Sequence, residues 1–217
     1  IGSFSVTTSR LTLSKGLTLQ FAPGTSLNVG TVYWASGQLW AEGVNHPDSV
    51  ITFTALNGQP GGWDGIVFHG YTSSSLLKYC IIEKAVNINV SAPQNSVSVE
   101  YCTIKNAGGN GISFYNSNNL IDHCEVFGNA GNGLEVYGSA LITNTHIYNN
   151  TGTGLRLNDG SAWEPQIENV VIENNQGNGI LATDCWPDFI NVDVLNNTGH
   201  GFLMNANVMP EANDLVL

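Results

Sequence analysis

Four side chains capable of acid–base chemistry recur at one spacing along the chain. Glu125 and His146 are 21 residues apart, and so are Glu135 and Arg156. A histidine beside a carboxylate can act as an oriented general base, and a carboxylate beside an arginine can abstract a proton or bind an acidic substrate. A histidine hydrogen bond and a surface salt bridge of at most about 1 kcal/mol explain the same pairs without chemistry. These four residues are the candidate catalytic residues.

Two loops carry tryptophan and aspartate where the chain departs from its regular pattern, NDGSAWEP (158–165) and TDCWPD (183–188). Indole rings pack against the apolar faces of sugars and offer an N–H to a hydroxyl, so a row of aromatic rings could bind an extended glycan. The alternative is that the tryptophans fold over a corner and shield the core. The candidate ligand-binding residues are Trp163, Trp186, Tyr137, Tyr115, Asp159 and Asp184.

The elements that must position these side chains follow from an internal repeat. Five segments align without gaps on a G-x-G core: YCTIKNAGGNGISF (101–114), HCEVFGNAGNGLEV (123–136), NTHIYNNTGTGLRL (144–157), NVVIENNQGNGILA (169–182) and NVDVLNNTGHGFLM (191–204). Their second glycines are spaced by 22, 21, 25 and 22 residues, too short a period for two packed helices. Alternating apolar residues within each repeat predict short β-strands with one face in a core. The predicted core pairs are Ile112 and Phe114, Leu134 and Val136, Leu155 and Leu157, Ile180 and Ala182, and Phe202 and Met204.

Glycine and asparagine also recur at fixed positions in these repeats. A sharp turn with positive φ is predicted at the first glycine of each G-x-G core, namely at Gly109, Gly131, Gly152, Gly177 and Gly199. Two asparagine columns are predicted to form amide ladders with a spacing of about 4.8 Å. Their members are Asn144, Asn169 and Asn191 in one column, and Asn129, Asn150, Asn175 and Asn197 in the other.

Three cysteines share the repeat. Cys80, Cys102 and Cys124 are 22 residues apart, which predicts a column of buried free thiols inside the coil. A disulfide between adjacent repeats and a metal site are the alternatives, although a column spreads its ligands along an axis and the spacing matches no zinc pattern. Cys185, in the TDCWPD loop, is predicted to be an exposed thiol.

The repeat NTHIYNNTGTGLRL and its four siblings resemble right-handed parallel β-helix repeat proteins, whose architecture is related to pectate lyases and bacterial surface proteins. The resemblance implies an all-β fold, a single-stranded right-handed parallel β-helix or solenoid. It implies no single function, because the same repeat carries lyases, hydrolases, epimerases, adhesins and passive stalks. The aspartate cluster of related polygalacturonases and the acidic calcium-binding column of pectate lyases have no match in this sequence. We therefore expect no metal or other cofactor, with calcium as the one conceivable ion.

We expect one domain over residues 1–217, with a cap and wider first coils in 1–75 and regular coils of 21–25 residues in 76–217. A net charge of −11 and a pI near 4.5 oppose binding to nucleic acid or to an anionic membrane surface. No stretch approaches the roughly 18 apolar residues of a membrane span. The composition and a first residue other than methionine suggest an extracellular or cell-surface protein, as a mature chain or an excised fragment.

Three functions fit these observations. The first is a non-catalytic extracellular module that binds a polysaccharide or cell-surface glycan, or serves as a spacer. The second is a carbohydrate-active enzyme, a polysaccharide lyase or glycoside hydrolase acting on an acidic polysaccharide. The third is a structural protein that associates end to end through uncovered strand edges.

Overall fold

The computed structural model describes residues 1–31, 33–90, 96–115, 118–158 and 164–217. Within these ranges the chain forms 24 short strands and one 3-10 turn, Pro47–Ser49. The first twelve strands are β1 (Phe4–Val6), β2 (Arg10–Leu13), β3 (Thr18–Phe21), β4 (Ser26–Val29), β5 (Gln38–Glu42), β6 (Ile51–Ala55), β7 (Trp63–Phe68), β8 (Ser75–Lys78), β9 (Cys80–Glu83), β10 (Ala85–Val90), β11 (Val97–Glu100) and β12 (Thr103–Lys105). The other twelve are β13 (Ile112–Tyr115), β14 (Asn119–Asp122), β15 (Glu125–Phe127), β16 (Leu134–Tyr137), β17 (Ala140–Thr143), β18 (His146–Tyr148), β19 (Leu155–Asn158), β20 (Gln166–Glu173), β21 (Ile180–Thr183), β22 (Asp188–Leu195), β23 (Phe202–Asn205) and β24 (Glu211–Val216).

The strands stack in register into two parallel sheets, which confirms the predicted parallel β-helix. Sheet A has nine strands in the order β1-β4-β7-β10-β13-β16-β19-β21-β23, one from each of about nine turns of the coil, here called rungs. Sheet B has two rows of strands, β2-β5-β8-β11-β14-β17 and β3-β6-β9-β12-β15-β18. The long strands β20, β22 and β24 join these rows, because each continues through the bend between them. A rung therefore passes once through sheet A and twice through sheet B.

The predicted core face is confirmed in four of the five repeats. Eight of the ten predicted core residues are at most 1% exposed, and they lie among the buried aliphatic and aromatic side chains that fill the coil. Phe202 is partly buried and Met204 is 53% exposed, since sheet A ends at their strand. Removal of apolar surface from water at about 25 cal/mol per Å² is the main force that holds the rungs together.

The bends within each rung are made by residues in the left-handed region, and most of these residues are asparagines. The bend between the two rows of sheet B is formed by Tyr79, Tyr101, His123, Asn144, Asn169, Asn191 and Asp214. The bend that follows the second row is formed by Lys84, Asn106, Gly128, Asn149, Asn174 and Asn196. Asparagine tolerates this conformation because its short side chain hydrogen-bonds locally.

The prediction of positive φ at the G-x-G glycines is wrong. None of Gly109, Gly131, Gly152, Gly177 and Gly199 has positive φ. They are required because successive rungs touch there: a Cβ on Gly152 would lie 2.8 Å from the carbonyl carbon of Gly131, and one on Gly177 would lie 2.7 Å from that of Gly152. These glycines permit close stacking of backbone on backbone.

The longer asparagine column forms the predicted amide ladder. The Nδ2 of Asn129 donates to Oδ1 of Asn150 at 2.9 Å, that of Asn150 to Asn175 at 3.0 Å, and that of Asn175 to Asn197 at 2.9 Å. In the shorter column Asn191 donates to Asn169 at 2.8 Å, whereas Asn144 donates to Asp122. The ladder ties one rung to the next beside the core.

The cysteine column consists of buried free thiols, as predicted. The backbone N–H of Cys80 donates to Sγ of Cys102, and that of Cys102 to Sγ of Cys124, at 3.4 and 3.5 Å. Burial raises the pKa of the Cys102 and Cys124 thiols well above the ordinary value, so they stay protonated. The prediction that Cys185 is exposed is wrong: it is only 1% exposed, packed in the core below its loop.

Candidate functional site

The solenoid places both pairs of candidate catalytic residues opposite each other on neighbouring strands. Glu135 of β16 pairs with Arg156 of β19 in sheet A, and Glu125 of β15 pairs with His146 of β18 in sheet B. Their rows continue along the solenoid as Ser113, Glu135, Arg156, Leu181 and Leu203, and as Ile81, Thr103, Glu125, His146, Val171 and Asp193. A 21-residue spacing equals one rung, so it brings the members of each pair together.

Glu135 is a nearly buried carboxylate that holds a more exposed guanidinium. Its Oε1 lies 3.2 Å from Nη1 of Arg156, and the two side chains are 8% and 39% exposed. Asn110 donates from Nδ2 to Oε2 at 2.7 Å, and the hydroxyl of Tyr137 donates to Oε1 at 3.4 Å. A carboxylate removed from water must be paired and hydrogen-bonded, and these three partners meet that requirement. Glu135 thus fixes the position of Arg156 on the outer face of sheet A.

Tyr115 and Tyr137 form a stacked aromatic pair beside this ion pair. They pair across β13 and β16, and their rings stack with centroids 4.9 Å apart and an interplanar angle of 10°. Burial, and then the charges of Glu135 and Tyr137, raise the pKa of the Tyr115 phenol. The hydroxyl of Tyr115 therefore remains a hydrogen-bond donor at neutral pH.

Three further polar residues, Asn87, Asn110 and the fully buried Ser113, adjoin this ion pair and were not singled out as candidates from the sequence. Asn110 Nδ2 lies 3.2 Å from Oγ of Ser113, and Asn87 Nδ2 lies 3.4 Å from the same oxygen. The Oδ1 of Asn87 is buried and has no hydrogen-bond partner among the described residues. Ser113 and, one rung earlier, Asn89 lie in the same row as Glu135 and Arg156, so the sequence could have indicated them. Asn87 and Asn110 reach the surface from outside that row. We call Asn87, Asn110, Ser113, Tyr115, Glu135, Tyr137 and Arg156 the sheet A site.

The loop 183–188, which carries Trp186, begins where strand β21 of sheet A ends. Trp186 is partly exposed and lines an open cavity of about 400 Å³, together with Glu164, Gln166, Asp188 and Glu211. Asp184 binds a neighbouring loop residue, since its Oδ1 accepts a hydrogen bond from Nδ2 of Asn207 at 2.9 Å. Trp163 and Asp159 lie outside the described residues, so the proximity of Trp163 to Trp186 stays a prediction.

His146 contacts a different carboxylate from the one expected. Although Glu125 is its neighbour in register, Nε2 of His146 lies 3.0 Å from Oε1 of Glu173. The His146 ring also stacks on Tyr148 at 4.2 Å, and Tyr148 stacks on Phe127 at 4.8 Å. The interpretation of Glu125 as the orienting carboxylate is therefore corrected to Glu173.

A second histidine–carboxylate pair lies on the neighbouring bend. Nδ1 of His123 is 2.8 Å from Oδ2 of Asp122, while Thr143 and Asn144 donate to Oδ1 of Asp122 at 2.7 and 2.9 Å. Burial alone would raise the pKa of Asp122, but hydrogen bonds from Asn144, Thr143 and His123 lower it overall.

In the described ranges, no three His, Cys, Asp or Glu side chains form a group that could hold a metal ion. Within the same part of the chain, no helix has the length and apolar character needed to cross a membrane.

Comparisons with known proteins agree on the fold. Residues 32–141 match the family model described as right handed beta helix region. The A-module of mannuronan C-5 epimerase AlgE4 from Azotobacter vinelandii is 11% identical, with a TM-score of 0.60 over 92% of this chain and 78% of that one. The A-module of the epimerase AlgE6 from the same organism is 16% identical, with a TM-score of 0.53 over 94% and 69%. No curated protein matches the sequence significantly.

Proposed function

Since the chain belongs to the right-handed β-helix family, we propose that the sheet A site binds a polysaccharide that carries carboxylate groups. The observation that carries this proposal is the Glu135–Arg156 pair, in which a nearly buried carboxylate holds a guanidinium that is 39% exposed. A guanidinium held in place loses less entropy when it binds a carboxylate, and its planar fork matches that group.

The neighbouring residues supply the other contacts that a sugar chain needs. The stacked rings of Tyr115 and Tyr137 offer apolar surface and phenol hydroxyls. The net charge of −11 opposes the approach of a polyanion, but this long-range repulsion is screened beyond the Debye length of about 8 Å at physiological ionic strength. Glu135 offsets much of the charge of Arg156, so the guanidinium attracts a ligand carboxylate through charge-assisted hydrogen bonds at contact distance. Such polymers lie outside cells, which supports an extracellular or cell-surface location.

Calorimetric titration with charged and neutral oligosaccharides tests this proposal. Two similar solved structures are mannuronan epimerase modules, so oligomannuronate is the first ligand to try, with a neutral mannan oligosaccharide as its uncharged counterpart. We expect Arg156→Gln to weaken oligomannuronate binding by about 10- to 100-fold, the value of a charge-assisted hydrogen bond. Arg10→Gln removes the same charge on sheet B and should leave affinity unchanged. Equal binding by both variants would exclude Arg156 as the anion-binding residue.

A second candidate function, cleavage of an acidic polysaccharide by elimination, is supported by the contact between Tyr137 and Glu135. The Tyr137 hydroxyl, Glu135 and Arg156 form one chain of polar contacts that could move a proton while Arg156 neutralises the substrate carboxylate. A glycoside hydrolase needs two carboxylates across the cleaved bond, and Glu135 is the sole carboxylate on β13, β16 and β19. Elimination is therefore favoured over hydrolysis at this site.

One assay distinguishes binding of the polysaccharide from its cleavage by elimination. Elimination from oligomannuronate forms an unsaturated product with new ultraviolet absorbance, whereas binding alone does not. If the site is catalytic, Tyr137→Phe should abolish product formation while it weakens binding far less than Arg156→Gln does, and Tyr33→Phe, at an exposed tyrosine outside the site, should keep both. No product from mannuronan, polygalacturonate or another polyuronate would leave binding as the function of the site.

A further inference from the structure

Three aromatic residues occupy bends at which later rungs use asparagine. In the bend between the two rows of sheet B, φ is 48° at Tyr79, 52° at Tyr101 and 51° at His123. The next two rungs place Asn144 and Asn169 at the same position, with φ of 48° and 55°. A bulky side chain with positive φ is a backbone outlier, whereas asparagine adopts this region readily. The chain therefore has two strained tyrosines, and a histidine that tolerates this region better, at a position where its own repeat elsewhere contains asparagine.

These three aromatic side chains form a continuous ladder at the surface. Ring centroids are 4.9 Å apart between Tyr79 and Tyr101 and 4.5 Å apart between Tyr101 and His123. Lys78 lies 5.4 Å above the Tyr101 ring and is paired with Glu100 at 2.9 Å. Tyr101 is still 39% exposed, so the ladder covers little of the core while it presents aromatic surface to solvent. Strained residues that are kept at a surface indicate a role other than packing.

The ladder opens into a shallow groove of about 430 Å³ that follows the bend toward the C-terminal rungs. Tyr101, His123, Glu125, Asn144, His146 and Asn169 line this groove. It lies on sheet B, so it is separate from the sheet A site, and the proposed function does not use it. We call it the bend groove.

Both histidines of the bend groove are held in fixed orientations. Asp122 binds the His123 ring through Nδ1, and Glu173 binds the His146 ring through Nε2. The second nitrogen of each ring has no protein hydrogen-bond partner in the part of the chain that the structure describes. Two oriented imidazoles, with the amides of Asn144 and Asn169 between them, offer both donors and acceptors.

We propose that the bend groove is a second glycan-binding site, specific for a neutral sugar chain. The edge of the aromatic ladder and the open face of His123 receive the apolar C–H surface of a sugar ring. The imidazoles and amides recognise hydroxyl groups. Asp122, Glu125 and Glu173 surround the groove and repel the carboxylates of a polyuronate, which distinguishes this ligand from that of the sheet A site.

The repeat itself supplies the variant for the test. The triple substitution Tyr79→Asn, Tyr101→Asn, His123→Asn installs the residue that later rungs use at the same bend, so the fold should be kept and Tm held or raised. Neutral oligosaccharides of mannose, glucose and xylose are titrated into the intact chain while NMR follows the ring signals of Tyr101, His123 and His146. We expect at least one oligosaccharide to shift these signals, and the triple variant to bind it at least about tenfold more weakly. Tyr33→Asn removes an exposed tyrosine elsewhere and should change nothing.

Two results would overturn the proposal. If no neutral oligosaccharide shifts the groove signals, or if oligomannuronate alone does, the groove is not a neutral-glycan site. If the triple variant loses Tm and keeps its glycan affinity, the ladder stabilises the solenoid and has no role in binding. Oligomannuronate binding at Arg156 is measured on the same variants and should not change, so the outcome for the sheet A site is read separately.

Discussion

Nη1 of Arg156 lies 3.2 Å from Oε1 of Glu135, and the two partners are unequally exposed, at 39% and 8%. Glu135 is therefore the partner that cannot return to water if the pair is broken. Arg156 reaches solvent and can exchange part of its hydration for a ligand. The pair stabilises the fold through one member and presents the other to a ligand.

This asymmetry predicts unequal effects of two substitutions on stability. Arg156→Gln leaves a nearly buried carboxylate with two neutral donors, and we expect it to lower the free energy of unfolding by about 1–2 kcal/mol. Glu135→Gln can still contact Asn110 and Tyr137, so it should lower that free energy by less than about 1 kcal/mol. Urea denaturation measures both, with Arg10→Gln on the exposed surface of sheet B as the control. A larger loss for Glu135→Gln would contradict the assignment of Glu135 as the desolvated partner.

Asp122 makes the stability of the solenoid sensitive to acid. The pKa of Asp122 is lower in the folded protein than in the unfolded chain, so the folded state binds this proton less tightly. The stabilisation is fully present above the ordinary aspartate pKa of about 3.9 and is lost as the pH falls through the lower folded-state pKa. Asp122→Asn should therefore flatten the acid side of the stability profile below about pH 5. Denaturant unfolding at several pH values measures the profile, and Asp48→Asn, at an exposed carboxylate, should leave its slope unchanged.

Much of the fold could be predicted because a solenoid repeats one local pattern. The 21–25-residue period and the alternation of residues such as Leu134 and Val136 give the strands and the core face directly. The physical reason for the glycines could not be predicted, because an alignment shows that Gly152 is needed without showing why. Its constraint is contact with Gly131 of the preceding rung, while the positive φ falls on residues such as Asn149 and Asn174.

The candidate site, like the fold, could be predicted only in part from the spacing of the repeat. Glu135 and Arg156 meet because a spacing of one rung places residues opposite each other, and the spacing is visible in the sequence. His146 meets Glu173 instead of Glu125, because side chains also reach diagonally to the next strand and register does not determine that choice. Register also does not reveal Asn87, which reaches Ser113 diagonally from β10, or Asn110, which reaches it from the turn before β13.

The stacking contact at Gly152 predicts a large effect from one methyl group. A Cβ there would lie 2.6 Å from Oδ1 of Asn132 and 2.8 Å from backbone atoms of Gly131, so the rungs must separate to admit it. We expect Gly152→Ala to lower the free energy of unfolding by about 1–3 kcal/mol, the cost of overpacking a close contact. Gly2→Ala meets no atom within 4 Å and should be neutral in the same thermal or denaturant unfolding experiment. If both variants unfold alike, close stacking is not the reason for the glycine column.

Asn150 is a residue of the amide ladder whose loss should be costly. Asn150 is fully buried. Its Nδ2 donates to Oδ1 of Asn175 at 3.0 Å and to the carbonyl oxygen of Val126 at 3.1 Å. Its Oδ1 accepts from Nδ2 and from the backbone N–H of Asn129, at 2.9 and 3.1 Å. Asn150→Ala strands several buried polar groups at once, and each unsatisfied group costs about 1–3 kcal/mol.

The expected loss for Asn150→Ala is about 3–5 kcal/mol, which is a large part of the 5–15 kcal/mol stability of a typical domain. Asn149 is the matched control, because it is adjacent in the chain and serves the bend through its φ of 54°. Asn149→Gly keeps access to that conformation and should cost less than about 1 kcal/mol. Hydrogen exchange adds a local readout: in Asn150→Ala the backbone amide of Asn129, which loses its acceptor Oδ1 of Asn150, should lose protection before the amides of sheet A. Uniform loss of protection along the solenoid would instead show that the rungs unfold as one cooperative unit.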